Sequence, residues 1–184
     1  MNLLMVAHSY GQQGKHATLV KPAIDVRSGE LTIASRTGFE RIADVVLHPE
    51  DVVVIDTTKT DCILVDEAQF LTPLQVDQLR NLTCFVPVIC YGLRTDYQSR
   101  LFPGAKRLME VADVLEEIRT ECFFCRNKAI MNMKFDGDVL VTEGTSVPEL
   151  GGDEKYKPGC WSCWRHQLRL SQNPPVGYPR TLVD

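Results

Sequence analysis

Two short cysteine pairs constrain this chain more than any other feature. Cys122-Phe123-Phe124-Cys125 and Cys160-Trp161-Ser162-Cys163 stand near the C-terminus with 34 residues between them. A C-x-x-C turn presents two thiolates on one tight knuckle, and two knuckles make a four-thiolate cage of the kind that closes around zinc. A single turn of this sort is ambiguous, because redox motifs share it. Two at this separation predict a small ribbon domain that a metal holds together.

The rest of the chain is long enough to bury a core of its own. Its 184 residues, 44% of them apolar, predict one domain plus a small appendage. The net charge of −4 argues against a general nucleic-acid binder, which carries a basic face. Seven cysteines raise the question of disulfides. Cys62, Cys84 and Cys90 sit in apolar, strand-like runs, however, where a thiol behaves as a small hydrophobe. The chain therefore reads as a reduced, cytoplasmic protein. No apolar stretch approaches the roughly 18 residues of a membrane span. Nor does the N-terminus, with a short apolar run and no basic segment before it, read as a signal peptide.

The pattern divides near residue 120. Before it, strand-like and helix-like segments alternate, which implies a parallel sheet with crossovers. Met1 to Tyr10 reads as a helix stopping before Gly11, and His16 to Lys21 as a short strand ended by Pro22. Cys62-Ile63-Leu64-Val65 is a continuous apolar run, as a strand buried on both faces should be. Thr72 and Pro73 then open a helix as N-cap and first residue. Val86 to Cys90 is the next buried strand, and Phe102 to Glu110 another helix. The segment from His48 to Ile55 is ambiguous. Its β-branched run favours a strand, while Pro49-Glu50-Asp51 resembles a helix start, and helix is the expectation. Beyond Glu121 the chain is punctuated by cysteines, glycines and prolines. Asp136 to Gly152 reads as a long flexible loop. The expected units are 1–119, 120–170 and a loose tail, 171–184.

Ile63-Leu64-Val65-Asp66-Glu67 has the form of a Walker B element. There Asp66 would hold Mg²⁺ on nucleotide phosphates, and Glu67 would accept a proton from an attacking hydroxyl. An acidic turn after a strand explains the same residues equally well. Gln69-Phe70 behind the acids makes the functional reading more specific. A Walker B implies a G-x-x-x-x-G-K-[ST] phosphate loop. Gly11-Gln12-Gln13-Gly14-Lys15-His16 does not supply it: the glycines are too close, His16 stands in the hydroxyl position, and the segment runs from helix to strand.

Taken together, Val65 to Phe70, then Cys90 to Asp96 with Phe102, then the first C-x-x-C, Gly151 to Tyr156 and the second C-x-x-C resemble the thymidine kinase family with a zinc-ribbon lasso. This is the cytosolic type found in animals, bacteria, phages and poxviruses. Order and spacing match across nearly the whole chain, and Gly92-Leu93-Arg94-Thr95-Asp96 resembles the bacterial branch. The resemblance implies an α/β fold, a P-loop NTPase-like parallel sheet followed by a zinc ribbon carrying a lasso loop. It implies Glu67 as the general base toward the 5′-hydroxyl of thymidine and Asp66 as the Mg²⁺-associated acid. Asp25 and Arg27, in Pro22-Ala23-Ile24-Asp25-Val26-Arg27, match a P-x-x-D-x-R segment near the phosphates. An arginine fork there would neutralise phosphate charge. Phe70, Leu93, Tyr97 and Phe102 match positions enclosing the thymine ring and sugar, although ordinary core would also explain them. Tyr156, after the Gly151-Gly152 hinge, matches a lasso tyrosine closing over the nucleoside. Cys122, Cys125, Cys160 and Cys163 carry over as ligands of a structural zinc, with His166 a spare donor. Thymidine and ATP with Mg²⁺ are the implied substrates, dTTP the implied feedback inhibitor and a homotetramer the implied assembly, with neither nucleic acid nor membrane as partner.

The chain departs from the family at its start. The family opens with a strand and a phosphate loop, on the order of fifteen to twenty residues, whereas Met1 to Tyr10 aligns with the helix that follows them. That strand is expected to be central in the sheet. Two explanations stand: a start assigned at an internal methionine, which is favoured because Asp25, Arg27, Asp66, Glu67 and the lasso are intact, or a relative that binds nucleoside or a partner without phosphorylating it. Little phosphorylation is expected of the chain as given, because that loop supplies most β/γ-phosphate binding. A zinc-ribbon interaction module is the alternative from another class. A nucleotide hydrolase with the same acids would leave the lasso unexplained.

Overall fold

The computed structural model describes residues 2–25, 29–35, 38–144 and 155–172. The chain forms two compact units, one of Met1–Arg94 with Leu101–Glu116, the other of Thr95–Arg100 with Glu117–Asp184.

The first unit is built on four short parallel strands. In chain order its elements are helix α1 (Asn2–Gln12), β1 (Ala17–Pro22), β2 (Thr32–Ala34), β3 (Glu40–Ile42), β4 (Val45–Leu47), β5 (Cys62–Val65), helix α2 (Pro73–Leu82), β6 (Val88–Cys90) and helix α3 (Pro103–Val111). The sheet runs β4-β1-β5-β6, every pair parallel, while β2 and β3 form a separate antiparallel ribbon. All four residues of β5 are fully buried, which is why its sequence is apolar without alternation. Successive residues nevertheless serve different faces. Ile63 and Val65 join Val20, Leu71, Val76 and Leu79 beneath α2, with Leu108 and Val111 of α3 packed alongside. Cys62 and Leu64 instead join Leu3 and Ala7 of α1 with Leu19 on the opposite face. The expected α/β architecture with a parallel sheet is therefore present, helices covering both faces.

The predicted helix starts are also found. The Thr72 Oγ1 accepts from the Gln75 amide at 3.2 Å, and Gln75 Oε1 accepts from the Thr72 amide at 3.1 Å, a reciprocal cap ahead of Pro73. Phe102 caps α3 just ahead of Pro103. Helix α1 runs through Gly11 to Gln12, slightly beyond its predicted end. Gly14, at φ 70°, then turns the chain into β1, so Gly11 to His16 is the expected helix-to-strand turn.

The segment from His48 to Ile55 corrects its expectation, since it is not helical. The backbone groups that a helix would pair internally go to α2 instead. Gln75 Nε2 donates to the His48 and Asp51 carbonyls at 2.7 and 3.2 Å, and the Val53 amide donates to Gln78 Oε1 at 2.9 Å. Val53 is buried between exposed Val52 and Val54, the alternation of an extended chain.

The second unit contains β7 (Met131–Asp136), β8 (Val139–Val141), β9 (Tyr156–Gly159) and helix α4 (Trp161–Gln172). They form a three-stranded antiparallel sheet, β8-β7-β9. Met131, Met133, Phe135 and Leu140 are buried, with Trp164 and Leu168 of α4 against them. Within the stretch expected as a loop, residues 136–141 instead form the end of β7 and strand β8, Gly137 at φ 57° closing the hairpin. Residues 145–154, including Gly151 and Gly152, lie outside the described residues. Helix α4 carries Ser171, whose Oγ accepts from the Leu140 amide at 3.1 Å, while the tail beyond Gln172 lies outside them too. Among the described residues no helix is long and apolar enough to cross a membrane.

Candidate functional site

In the first unit, the candidate residues collect at the carboxyl end of the sheet, the edge where open α/β sheets bind ligands. Val20 pairs with Val65, so the chain past β1 and the acids past β5 leave the sheet side by side. The Asp66 amide still donates to the Val20 carbonyl at 2.9 Å, which fixes where this carboxylate emerges. Glu67 then breaks from strand geometry, with φ 47° and ψ 38°, a left-handed conformation that costs about 1–3 kcal/mol for such a residue. A single 3₁₀ turn, Ala68–Phe70, follows. Both acids are half-buried. Phe70 meets Phe102 edge to face, ring centroids 5.5 Å apart, while Leu93 stays largely exposed nearby in the loop after β6.

Asp25 is buried on the turn after β1, and Lys21 explains how that turn is held. The Lys21 side chain is only 1% exposed. Its Nζ donates to the Gly29 and Thr32 carbonyls at 3.1 and 2.9 Å and lies 3.8 Å from Asp25 Oδ2. A buried ammonium with two carbonyl partners and a carboxylate is the arrangement in which such burial is tolerated. The sequence marks Lys21 only as the last residue of a short strand before Pro22. Arg27 lies outside the described residues.

In the second unit, the Sγ atoms of Cys122, Cys125, Cys160 and Cys163 all lie within 4.8 Å of one another, Cys125 and Cys160 at 3.6 Å. Ligands about 2.3 Å from a tetrahedral zinc lie close to 3.8 Å apart, so the donor set fits that ion, with no open position for catalysis. His166 is not part of the group. Two local structures make the cage. The first knuckle is a tight hairpin in which the Cys122 amide donates to the Asn127 carbonyl at 2.6 Å and Arg126 adopts φ 60°. The second opens α4, the Trp164 amide donating to the Cys160 carbonyl at 2.9 Å. Strand β9 bridges them, because the Phe123 amide donates to Pro158 and the Ile130 amide to Gly159, both at 2.9 Å. Burial pushes the Cys122 thiol up, but amides of Cys160, Phe124 and Cys125 outweigh it and bring it down to about 6. Cys163 is pushed up, first by hydrogen bonding to Cys125 and then by burial. Crowded thiols of this kind cannot all ionise without a compensating cation, and a dication would supply it.

Tyr97 and Tyr156 also belong to this unit. Buried Tyr97 donates its hydroxyl to the Glu143 carbonyl at 3.4 Å and lies under Lys134 Nζ, 5.1 Å from its ring centre. Tyr156 pairs across the sheet with that same Lys134. A cavity of about 340 Å³ opens among Tyr97, Lys134, Asp136, Glu143 and Lys155, the size of a small-molecule pocket.

The chain is similar in sequence to known proteins over most of its length. A family model described as thymidine kinase matches residues 1–164. A thymidine kinase of Chromobacterium violaceum is 42% identical over 89% of this chain and 90% of that protein. One from Lactiplantibacillus plantarum is 39% identical over 87% of this chain and 85% of its own length. A third, from Encephalitozoon cuniculi, is 36% identical over 98% and 87% respectively. A chain matched so fully, with its acid pair at the sheet's carboxyl edge and four cysteines in one cage, belongs to the thymidine kinase family.

Proposed function

We propose that the protein is an ATP-dependent kinase that phosphorylates the 5′-hydroxyl of thymidine, a step of pyrimidine salvage for DNA synthesis. The observation that carries this reading is the pair Asp66-Glu67 at the carboxyl end of β5, in a chain of this family. Glu67 would accept the 5′-hydroxyl proton at its carboxylate as that oxygen attacks the γ-phosphorus of ATP, the ADP oxygen leaving opposite. Phe70, Leu93, Tyr97 and Phe102 would enclose the nucleoside, and Tyr156, with Gly151 and Gly152 as its hinge, would close over it. Asp25, with Arg27, would orient the phosphates. Asp66 offers the hard carboxylate oxygen that Mg²⁺ prefers, and the ion when bound supplies positive charge to the phosphates. Cys122, Cys125, Cys160 and Cys163 would hold a structural Zn²⁺ that ties the two knuckles together. A cytoplasmic location, a homotetramer and feedback inhibition by dTTP accompany the reading.

A second reading is nucleoside binding without turnover, in which the site holds thymidine but transfers nothing to it. One experiment separates the two. Labelled thymidine with ATP and Mg²⁺ yields dTMP under the first reading and none under the second, while calorimetry should show saturable thymidine binding, with uridine much weaker, under both. Binding without dTMP supports the second reading, and absence of binding overturns both.

A further inference from the structure

We infer that Gln69 is the positioning residue for the Glu67 carboxylate and couples it to the loop carrying Leu93. The inference rests on the reading of Glu67 as the group that meets the 5′-hydroxyl. Gln69 is 1% exposed, unusual for an amide immediately behind an acid pair. Its Nε2 donates to Glu67 Oε2 at 2.6 Å, and its Oε1 accepts from the Leu93 amide at 3.0 Å. Each end of the amide therefore meets a partner of opposite kind. Turning it over would set oxygen against carboxylate and NH₂ against N–H, so its orientation is fixed. A donor facing a carboxylate forms one of the stronger hydrogen bonds in proteins, and here it selects one position for a flexible glutamate side chain.

The surrounding backbone preserves this relay. The Ala68 amide donates to the Tyr91 carbonyl at 2.8 Å, fastening the 3₁₀ turn to the segment after β6. A Cβ at Gly92 would collide with Gln69 Oε1 and lie 3.1 Å from the Gln69 amide nitrogen. At Gly104, in the first turn of α3, a Cβ would stand 2.8 Å from the carbonyl oxygens of both Ala68 and Gln69. Gly92 thus leaves the side-chain amide the room it occupies, and Gly104 does the same for the backbone of the turn that carries it. A ligand that shifts Leu93 would shift the amide, and with it the carboxylate.

The test compares affinities for thymidine and 5′-deoxythymidine, which lacks the hydroxyl, by calorimetry. A hydrogen bond to a charged group predicts a preference of about tenfold for thymidine in the native protein. Glu67→Ala is expected to abolish that preference. Gln69→Glu keeps the acceptor for Leu93 and the side-chain length but removes the donor, and should reduce the preference severalfold. Affinity for 5′-deoxythymidine should stay as in the native protein, while the thermal midpoint falls because a carboxylate at this buried position faces Glu67. Gln69→Met, which has no charge to repel Glu67, should give the same loss of preference. A preference that survives both Gln69 variants but not Glu67→Ala overturns the positioning role alone. If it survives Glu67→Ala, the assignment of Glu67 fails, and this inference with it.

Discussion

The two units are stabilised by different physics. The parallel sheet of the first is covered on both sides, with Cys62, Ile63, Leu64 and Val65 all fully buried. Among the described residues, the second has one small hydrophobic cluster, of four buried side chains, and a cage of four cysteines. A core of that size leaves a domain marginal unless cross-links or metals support it. Disturbing one kind of support should therefore leave the other unit intact. The largest expected effect follows from removing the zinc proposed for that cage. Structural zinc is worth on the order of 10 kcal/mol in small domains. A strong chelator should thus abolish hydrogen-exchange protection in β7 to β9 while β1 and β5 stay protected, and should weaken thymidine binding. Protection unchanged in β7 to β9, or equal thymidine affinity with and without zinc, would break the comparison.

The reverse perturbation should be smaller but still clear. Leu64→Ala removes a fully buried side chain from between α1 and the sheet. Such truncations cost about 2–5 kcal/mol. The first unit's unfolding should shift accordingly, while zinc stoichiometry, measured by metal analysis, stays unchanged. Zinc lost together with stability would show that the units do not respond separately. Gly104→Ala should cost less, about 1–3 kcal/mol, because the new methyl meets the carbonyls of the 68–71 turn and the helix must shift. Its check is a chemical-denaturation midpoint lowered for the first unit alone.

The same contrast explains what could be read in the sequence. Strand β5 was visible because burial on both faces leaves an unbroken apolar run, and α2 because Thr72, Pro73 and Gln75 encode its start locally. The four-cysteine cage was visible because its spacing is itself the geometry. Strands β2 and β3 were not, since they are three residues each and β3 is wholly exposed. The stretch after His48 was misread because its backbone partners, Gln75 and Gln78, lie some twenty-five residues away. Lys21 was hidden for a related reason, and of Gln69 only its place behind the acids was legible. Their significance is burial and distant carbonyl, carboxylate or amide partners, which no local pattern records.

The smallest expected effect concerns the surface of the first unit, where charge replaces burial. Arg80 on α2 makes a two-pronged ion pair with Asp113, its Nη2 at 2.9 Å from Oδ1. Hydrogen bonding from Arg80 holds the Asp113 carboxyl below the usual aspartate range, with the Arg80 charge adding to it. A carboxyl whose folded-state pKa is depressed contributes stability above its unfolded value, near 3.9, and loses it progressively as pH falls through that region. Asp113→Asn should therefore lower the denaturation midpoint slightly at pH 7 and have almost no effect near pH 2. Salt should shrink the difference at pH 7, because both side chains are exposed to solvent. A difference that persists unchanged at low pH would mean that Asp113 acts there through packing, and the ion pair would drop out of the account.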